Sequence, residues 1–342
     1  MKKLVTSLLV VAVGALFAVA VGAQGQLTGA GATFPNPIYS KWFDVYSKLK
    51  GVQINYQSVG SGAGIRQITA GTVDFGASDG PMTDEQIAAY EKDRGGAILH
   101  FPTVLGAVVP TYTIPGVDAS LKFTQKAISD IYLGKITKWN DPEIAKSNAG
   151  VKLPADDIVV VHRSDGSGTT YIFTDFLSKV SPEWKQKVGR NTSVNWPVGL
   201  GGKGNEGVSG LVKQTPDAIG YVELIYALQN KLPFGDVQNK DGLFVRASLE
   251  TTTAAAAGAA KNMPADFRVS ITDSPGKTAY PISSFTWLLI PAKIPDAGKR
   301  TTLKDFVRWM LTDGQKDTEA LYYAPLPKQV VQQELKAISK IQ

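Results

Sequence analysis

The 342-residue sequence has no cysteine and only two histidines, His100 and His162. Without cysteine there is no disulfide, no thiolate metal site and no cysteine nucleophile. A lipid-modified N-terminal cysteine is excluded for the same reason. Two histidines offer little to a metal centre or to imidazole base chemistry, and no His/carboxylate cluster has ligand-like spacing. No metal or cofactor is therefore expected. Blocks of consecutive basic residues are also missing, which argues against a nucleic-acid partner. Beyond the N-terminus, no stretch is apolar enough to span a bilayer.

What the chain does have begins at that N-terminus. Lys2 and Lys3 precede an apolar run from Leu4 to Val21, and the small residues Gly22 and Ala23 follow. A positive start, an apolar core and a small-residue exit mark a secretory signal peptide, with cleavage expected after Ala23. The rival reading is a permanent anchor, since the run is just long enough to cross a membrane. Cleavage leaves 319 residues (342 less 23), a length that suggests two domains, and lowers the formal charge from +6 to +4. A mild positive balance attracts small anions without naming one. A free, monomeric periplasmic protein is the expectation.

The next third repeats one unit three times: extended segment, small-residue loop, helix start. Gln26-Leu27-Thr28 leads into Gly29-Ala30-Gly31-Ala32-Thr33-Phe34-Pro35, after which Ile38, Tyr39, Trp42, Phe43 and Tyr46 recur at helical spacing. Val52, Ile54 and Tyr56 alternate as in a strand before Gly60-Ser61-Gly62, and Val73-Asp74-Phe75 runs into Ser78-Asp79-Gly80-Pro81. Such alternation predicts an α/β fold with mainly parallel sheets. Two long apolar runs, Phe101–Pro110 and Tyr280–Ile290, read as segments crossing between two lobes. Lobe I would comprise residues 24–106 and 282–342, and lobe II residues 107–281. Two consecutive domains without a return is the alternative. The alanine-rich stretch Thr251–Lys261 predicts a helix rather than a linker.

The most informative segment is Arg163-Ser164-Asp165-Gly166-Ser167-Gly168-Thr169, between an expected strand (Ile158–Val161) and an expected helix (Tyr171–Val180). Unpaired amides at a helix start, glycine allowing close approach, Ser and Thr hydroxyls and a planar guanidinium make an anion cradle. Plain capping by Ser and Thr accounts for the same residues. Thr33-Phe34 and Ser61 hold equivalent positions, so several helix starts would converge on one tetrahedral anion. Asp79 is the discordant member, because an ionised carboxylate only accepts hydrogen bonds. It suits an anion that keeps a proton and would disfavour sulfate. A turn-capping Asp before Gly80-Pro81 is the plainer reading.

Gly29–Pro35, Val73–Asp79 and Arg163–Thr169 together resemble the periplasmic phosphate-binding protein of the phosphate ABC transporter. So do Asp130–Ile136, Gly199–Asn205 and Ala218–Glu223, in order along the chain from about Leu27. The resemblance implies a two-lobe type II periplasmic binding fold, its lobes joined by two crossover segments and closing on phosphate. It implies phosphate contacts from Thr33, Phe34 (through its backbone), Ser61, Asp79, Arg163, Ser167, Gly168 and Thr169, with Asp165 holding Arg163. Membrane permease subunits are the implied partner. His162 and Ser164 depart from the family pattern; His162 is expected to face away from the site, and Ser164 to add at most a peripheral hydrogen bond.

Catalysis is not expected. Ser164-Asp165-Gly166-Ser167-Gly168 is not a G-x-S-x-G nucleophile elbow, and His162 is too near Ser167 in sequence for a persuasive triad. Gly29-Ala30-Gly31 lacks the third glycine of a dinucleotide fingerprint, and Gly201-Gly202-Lys203-Gly204 lacks the Ser/Thr of a P-loop. The Gly199–Gly207 stretch reads as a turn. A binding protein for sulfate, molybdate or tungstate is the main rival, and a phosphate-ester hydrolase the lesser one.

Overall fold

The computed structural model describes residues 26–342; the signal peptide expected over residues 1–23 lies outside the described residues. The described strands are β1 (Gln26–Gly31), β2 (Gln53–Ser58), β3 (Phe75–Ser78), β4 (Ile98–Thr113), β5 (Lys122–Phe123) and β6 (Val159–Arg163). They continue with β7 (Leu200–Gly202), β8 (Ala218–Glu223), β9 (Asp236–Gln238), β10 (Phe244–Val245) and β11 (Ser283–Pro291). Eight of these form one sheet in the order β2-β1-β3-β11-β4-β8-β6-β7, and β10-β9-β5 form a small second one.

The flanks of the large sheet are parallel. β1 pairs in parallel with β2 and β3, and β6 with β8 and β7. Parallel neighbours need a crossover, supplied here by helices. The helix Asn36–Lys50 follows β1 and buries Ile38, Tyr39, Trp42, Phe43 and Tyr46, the positions whose spacing predicted it. Gly51, at φ 68°, ends it with a left-handed cap. Phe43 and Tyr46 then meet Phe306 of the helix Ala297–Leu311 at 5.6 and 5.2 Å between ring centroids. Each such ring contributes on the order of 1.5–3 kcal/mol on burial.

The centre of the sheet differs from the expectation of two mainly parallel sheets. β11 runs antiparallel to β3 and β4, and β4 antiparallel to β8. The two parallel flanks therefore belong to one eight-stranded sheet. The reason the pattern hid this is physical: a strand buried on both faces reads as a continuous apolar run whichever way its neighbour points. The two runs expected to cross between lobes are β4 and β11, side by side. Residues Ile98–Ala107 of β4 pair with β11, whereas Val108–Thr113 pair with β8. The register of β4 and β11 shifts once, between Thr286 and Trp287.

Beyond β4, the helix Gly168–Val180 follows β6 and the helix Gly204–Gln214 follows β7. The Gly199–Gly207 stretch is thus not the simple turn expected; it is strand, tight corner and helix start. Glycine at 202 lets β7 run within a Cβ's reach of the Gly207 backbone, so a glycine-rich string conceals a packed unit. The alanine-rich stretch lies in the helix Leu249–Lys261, opened by a capping box at Ser248. No helix among the described residues is long and apolar enough to cross a membrane.

Candidate functional site

Four strand–corner–helix units deliver their corners to one place. β1 delivers Thr33 and Phe34, and the start of the helix Ser61–Ala70 after β2 delivers Ser61. β3 ends at Asp79. β6 ends at Arg163 and leads through Asp165 to Ser167, Gly168 and Thr169. All eight expected contact residues are buried.

Ser61 ties two of the corners together. Its Oγ accepts from the Gly168 N–H at 3.0 Å and from the Asp79 N–H at 3.3 Å. A second tie joins the backbones, where the Gly62 N–H donates to the Gly166 carbonyl at 2.9 Å. Gly60, at φ +91°, leaves no room for a side chain: a Cβ there would lie 2.3 Å from Asp165 Oδ2. Ser167 Oγ accepts from the Thr170 N–H at 3.0 Å, so its oxygen caps the helix, as the plainer reading held. Of the first amides of this helix, Gly168 donates to Ser61, and Thr170 and Tyr171 donate to Ser167; that of Thr169 has no partner among the described residues and is a natural anion donor.

Arg163 and Asp165 form a bidentate pair. Nε donates to Oδ1 at 2.7 Å and Nη2 to Oδ2 at 2.6 Å, and the Arg163 side chain is almost wholly enclosed. Nη1 is left to donate to Thr169 Oγ1 at 3.3 Å. Burial pulls the Asp165 carboxyl upward, but the bond to Arg163 and its charge outweigh that and hold it below the ordinary range. The pair is therefore ionised, and Asp165 spends Arg163's fork while offsetting its charge. Gly204, at the start of its helix, also donates its N–H to Asp165 Oδ1 at 3.0 Å.

Asp79 behaves differently. Oδ1 accepts from Thr286 Oγ1 at 2.7 Å, while Oδ2 is buried without a hydrogen-bond partner among the described residues. Burial pushes this carboxyl up to about 7; the Thr286 hydroxyl, the Arg163 charge and the Ser61 hydroxyl pull the other way and only partly offset it. A buried carboxyl poised near neutrality, with one oxygen open, is matched to a partner that exchanges or donates a proton.

Sequence reasoning missed several neighbours. Asn205 Nδ2 donates to Thr33 Oγ1 at 2.8 Å and to Thr169 Oγ1 at 3.0 Å, bridging two units. Tyr226 and Tyr323 donate their hydroxyls to the Thr33 and Phe34 carbonyls, both at 2.6 Å, which fixes those peptide planes. Thr286 and the buried Glu223 complete the surround. A signal existed for Asn205, inside the Gly199–Asn205 motif; none marked Thr286 within its apolar run. His162 stacks on Trp196 at 4.8 Å and turns its Nδ1 to the Arg163 carbonyl, facing away from the corners as expected. Ser164 is exposed, and its backbone N–H donates to Gly202. His100 is buried elsewhere, accepting from the Met82 N–H at 3.1 Å.

Comparison with known proteins is consistent along the chain. The PBP superfamily domain matches residues 18–314. A phosphate-binding protein PstS of Pasteurella multocida is 47% identical over 319 residues, spanning 92% of this chain and 90% of its own. One from Xylella fastidiosa (strain Temecula1) is 46% identical over 309 residues, spanning 90% and 83%. The chain belongs to the PstS family of phosphate-binding proteins. The family relationship extends to an archaeal member from Methanocaldococcus jannaschii, 41% identical over 332 residues, spanning 91% of this chain and 85% of its own. Among solved structures, a periplasmic phosphate-binding protein (PfluDING) bound with phosphate superposes with a TM-score of 0.74 at 20% identity, covering 91% of this chain and 93% of that one. The phosphate-binding protein of Stenotrophomonas maltophilia superposes with a TM-score of 0.70, again at 20% identity, with 91% and 93% covered. At that identity the likeness is one of fold: the type II periplasmic binding fold.

Proposed function

We propose that this chain captures inorganic phosphate outside the cytoplasm and presents it to the membrane permease of an ABC transporter. The observation that carries this reading is Asp79, a buried carboxyl with one unpartnered oxygen among helix-start amides and hydroxyls. Thr33, Phe34, Ser61, Arg163, Ser167, Gly168 and Thr169 supply donors to the phosphate oxygens, and Asp79 accepts its proton. Fixed dipoles from the helix starts bind much of the charge, since Asp165 already offsets Arg163. Sulfate carries no proton at neutral pH, so its oxygen would face the Asp79 oxygen with no hydrogen between them. The names of the relatives, phosphate-binding proteins, agree with this ligand.

In this reading the protein binds rather than catalyses, acts as a monomer and leaves the cytoplasm by a cleaved leader. Lobe I comprises residues 24–106 and 282–342, and lobe II residues 107–281. That division is supported by the change of partner along β4 between Ala107 and Val108. Ser61 on one side and Gly168 on the other would be drawn together as the lobes close on the anion, and the permease would read closure. Calorimetry of the phosphate-free mature chain tests the ligand. Tight phosphate binding with sulfate far weaker is expected; tight sulfate binding without phosphate binding would overturn it.

A further inference from the structure

Toward the C-terminal end of the helix Gly168–Val180, a recess of about 830 Å³ opens to solvent, well separated in composition from the buried oxyanion corners. Asp175 sits in it with a side chain only 1% exposed. Its Oδ1 accepts from Arg190 Nη1 at 2.6 Å; its Oδ2 accepts from Ser270 Oγ and Thr272 Oγ1, both at 2.5 Å, and faces Lys179 Nζ at 3.2 Å. Burial pushes Asp175 upward, but the Lys179 charge, the two hydroxyls and Arg190 outweigh it and keep the carboxyl below its ordinary range. Both oxygens are occupied, so Asp175 works as an anchor that fixes two cations.

The recess holds more positive charge than that anchor neutralises. Lys185 and Lys240 also line it, and neither has an ion pair among the described residues. Arg190 uses Nη1 on Asp175, while Nε and Nη2 donate to nothing among the described residues. The other carboxylate, Asp273, accepts from Gln125 Nε2 at 3.1 Å. Lys179, Lys185, Arg190 and Lys240 against Asp175 and Asp273 leave an excess of two positive charges. The Ser178 hydroxyl, also lining the recess, is enclosed and has no hydrogen-bond partner among the described residues. Here the guanidinium is held on a buried carboxylate through Nη1 alone and faces open space, unlike the enclosed bidentate Arg163–Asp165 pair.

We propose that this recess is a second anion site, taking a condensed phosphate or similar small polyanion with at least two phosphoryl-type groups. Its cations come from three separate chain segments: the helix carrying Lys179, the Lys185–Arg190 stretch and the turn between β9 and β10. To meet donors from all three segments at hydrogen-bond range, an anion must present oxygens in several directions at once. An elongated anion bearing several charges can, and it matches the charge excess.

The test is a calorimetric titration of the mature chain with tripolyphosphate at low salt, in the presence of saturating inorganic phosphate. One further binding event is expected, without release of the bound phosphate. Lys185→Glu combined with Lys240→Glu should weaken it by about tenfold or more, through loss and reversal of local charge, and leave inorganic phosphate affinity unchanged. A control, Lys41→Glu with Lys92→Glu, changes net charge equally on other exposed lysines and should alter it less than about twofold. Four results would overturn the proposal: no binding at millimolar tripolyphosphate, an unaltered constant in the recess variant, equal weakening in the control, or displacement of inorganic phosphate.

Discussion

Gly168 and Asp79 are in contact so close that a β-carbon on Gly168 would lie 2.4 Å from Asp79 Oδ2 and 2.6 Å from the Asp79 nitrogen. Backbone from one helix start and backbone from β3 are thereby pressed against each other, with Ser61 Oγ bonded to both. Gly168→Ala cannot be absorbed by rotating a flexible side chain, because backbone atoms stand in the way. An overpacking cost of about 1–3 kcal/mol is expected, felt most where the two corners approach. Phosphate affinity should fall by about tenfold to a hundredfold in calorimetry while the far-ultraviolet spectrum stays the same. An unchanged affinity would mean that the corners need not meet in the bound protein.

Asp79 makes stability depend on pH in a predictable direction. Its ordinary value is 3.8 and burial carries it to about 7 in the folded protein. Between those values the folded chain holds a proton that the unfolded chain gives up, so stability is greatest in acid and falls as pH rises toward about 7. The displacement is worth on the order of 4 kcal/mol. Other buried carboxyls, Glu223 and Glu334, are raised as well and share this sign, so the informative quantity is a difference between proteins. Asp79→Asn should remove part of the slope in urea titrations of phosphate-free protein. It should also retain phosphate binding while narrowing the margin over sulfate.

His100 acts in the opposite sense. Burial first, and the Arg268 charge second, lower it to about 4, and the neutral ring accepts the Met82 N–H. The folded state therefore resists a proton that the unfolded state takes up near its ordinary 6.5. Stability is present in full above about 6.5 and is lost as pH falls toward about 4, by about 3 kcal/mol. His100→Gln keeps an acceptor for Met82 and should flatten that loss. Parallel acid limbs in the two proteins would contradict the assignment.

Thr286 donates its hydroxyl to Asp79 Oδ1. Thr286→Val preserves shape and removes the 2.7 Å hydrogen bond, leaving both carboxyl oxygens without that support. A loss of about 1–3 kcal/mol is expected at pH 8, where Asp79 is ionised, and a smaller one at pH 5. The Asp79 carboxyl should titrate above about 7 in carbon-detected NMR. A carboxyl that titrates lower in the variant would show that Thr286 does not serve the ionised form.

The parts of the site legible in the sequence were those lying at strand–helix corners. Thr33, Ser61 and Arg163–Thr169 stand where small polar residues follow an apolar strand and precede a helical period, and the chain puts all of them in one place. Asn205 sits at such a corner too, yet glycines on both sides made it read as a turn. Thr286 was illegible for another reason: it meets Asp79 because β11 pairs antiparallel with β3 with Trp287 opposite Ser78, and a register has no local signature. The same limit hid the antiparallel centre of the sheet. Strands β4 and β11 are apolar on both faces, so nothing in their composition announces the direction of a neighbour.

The division of β4 between two partners has a consequence for biosynthesis. β3 and the stretch Ile98–Ala107 are made early, but the strand that lies between them begins at Ser283. Until that strand emerges, two apolar edges of the first-made segment stay unpaired, open to aggregation and to proteases. The segment through Ala107 is thus synthesised first and completed last. A message truncated anywhere before Ser283 should yield an insoluble fragment in place of a smaller folded protein.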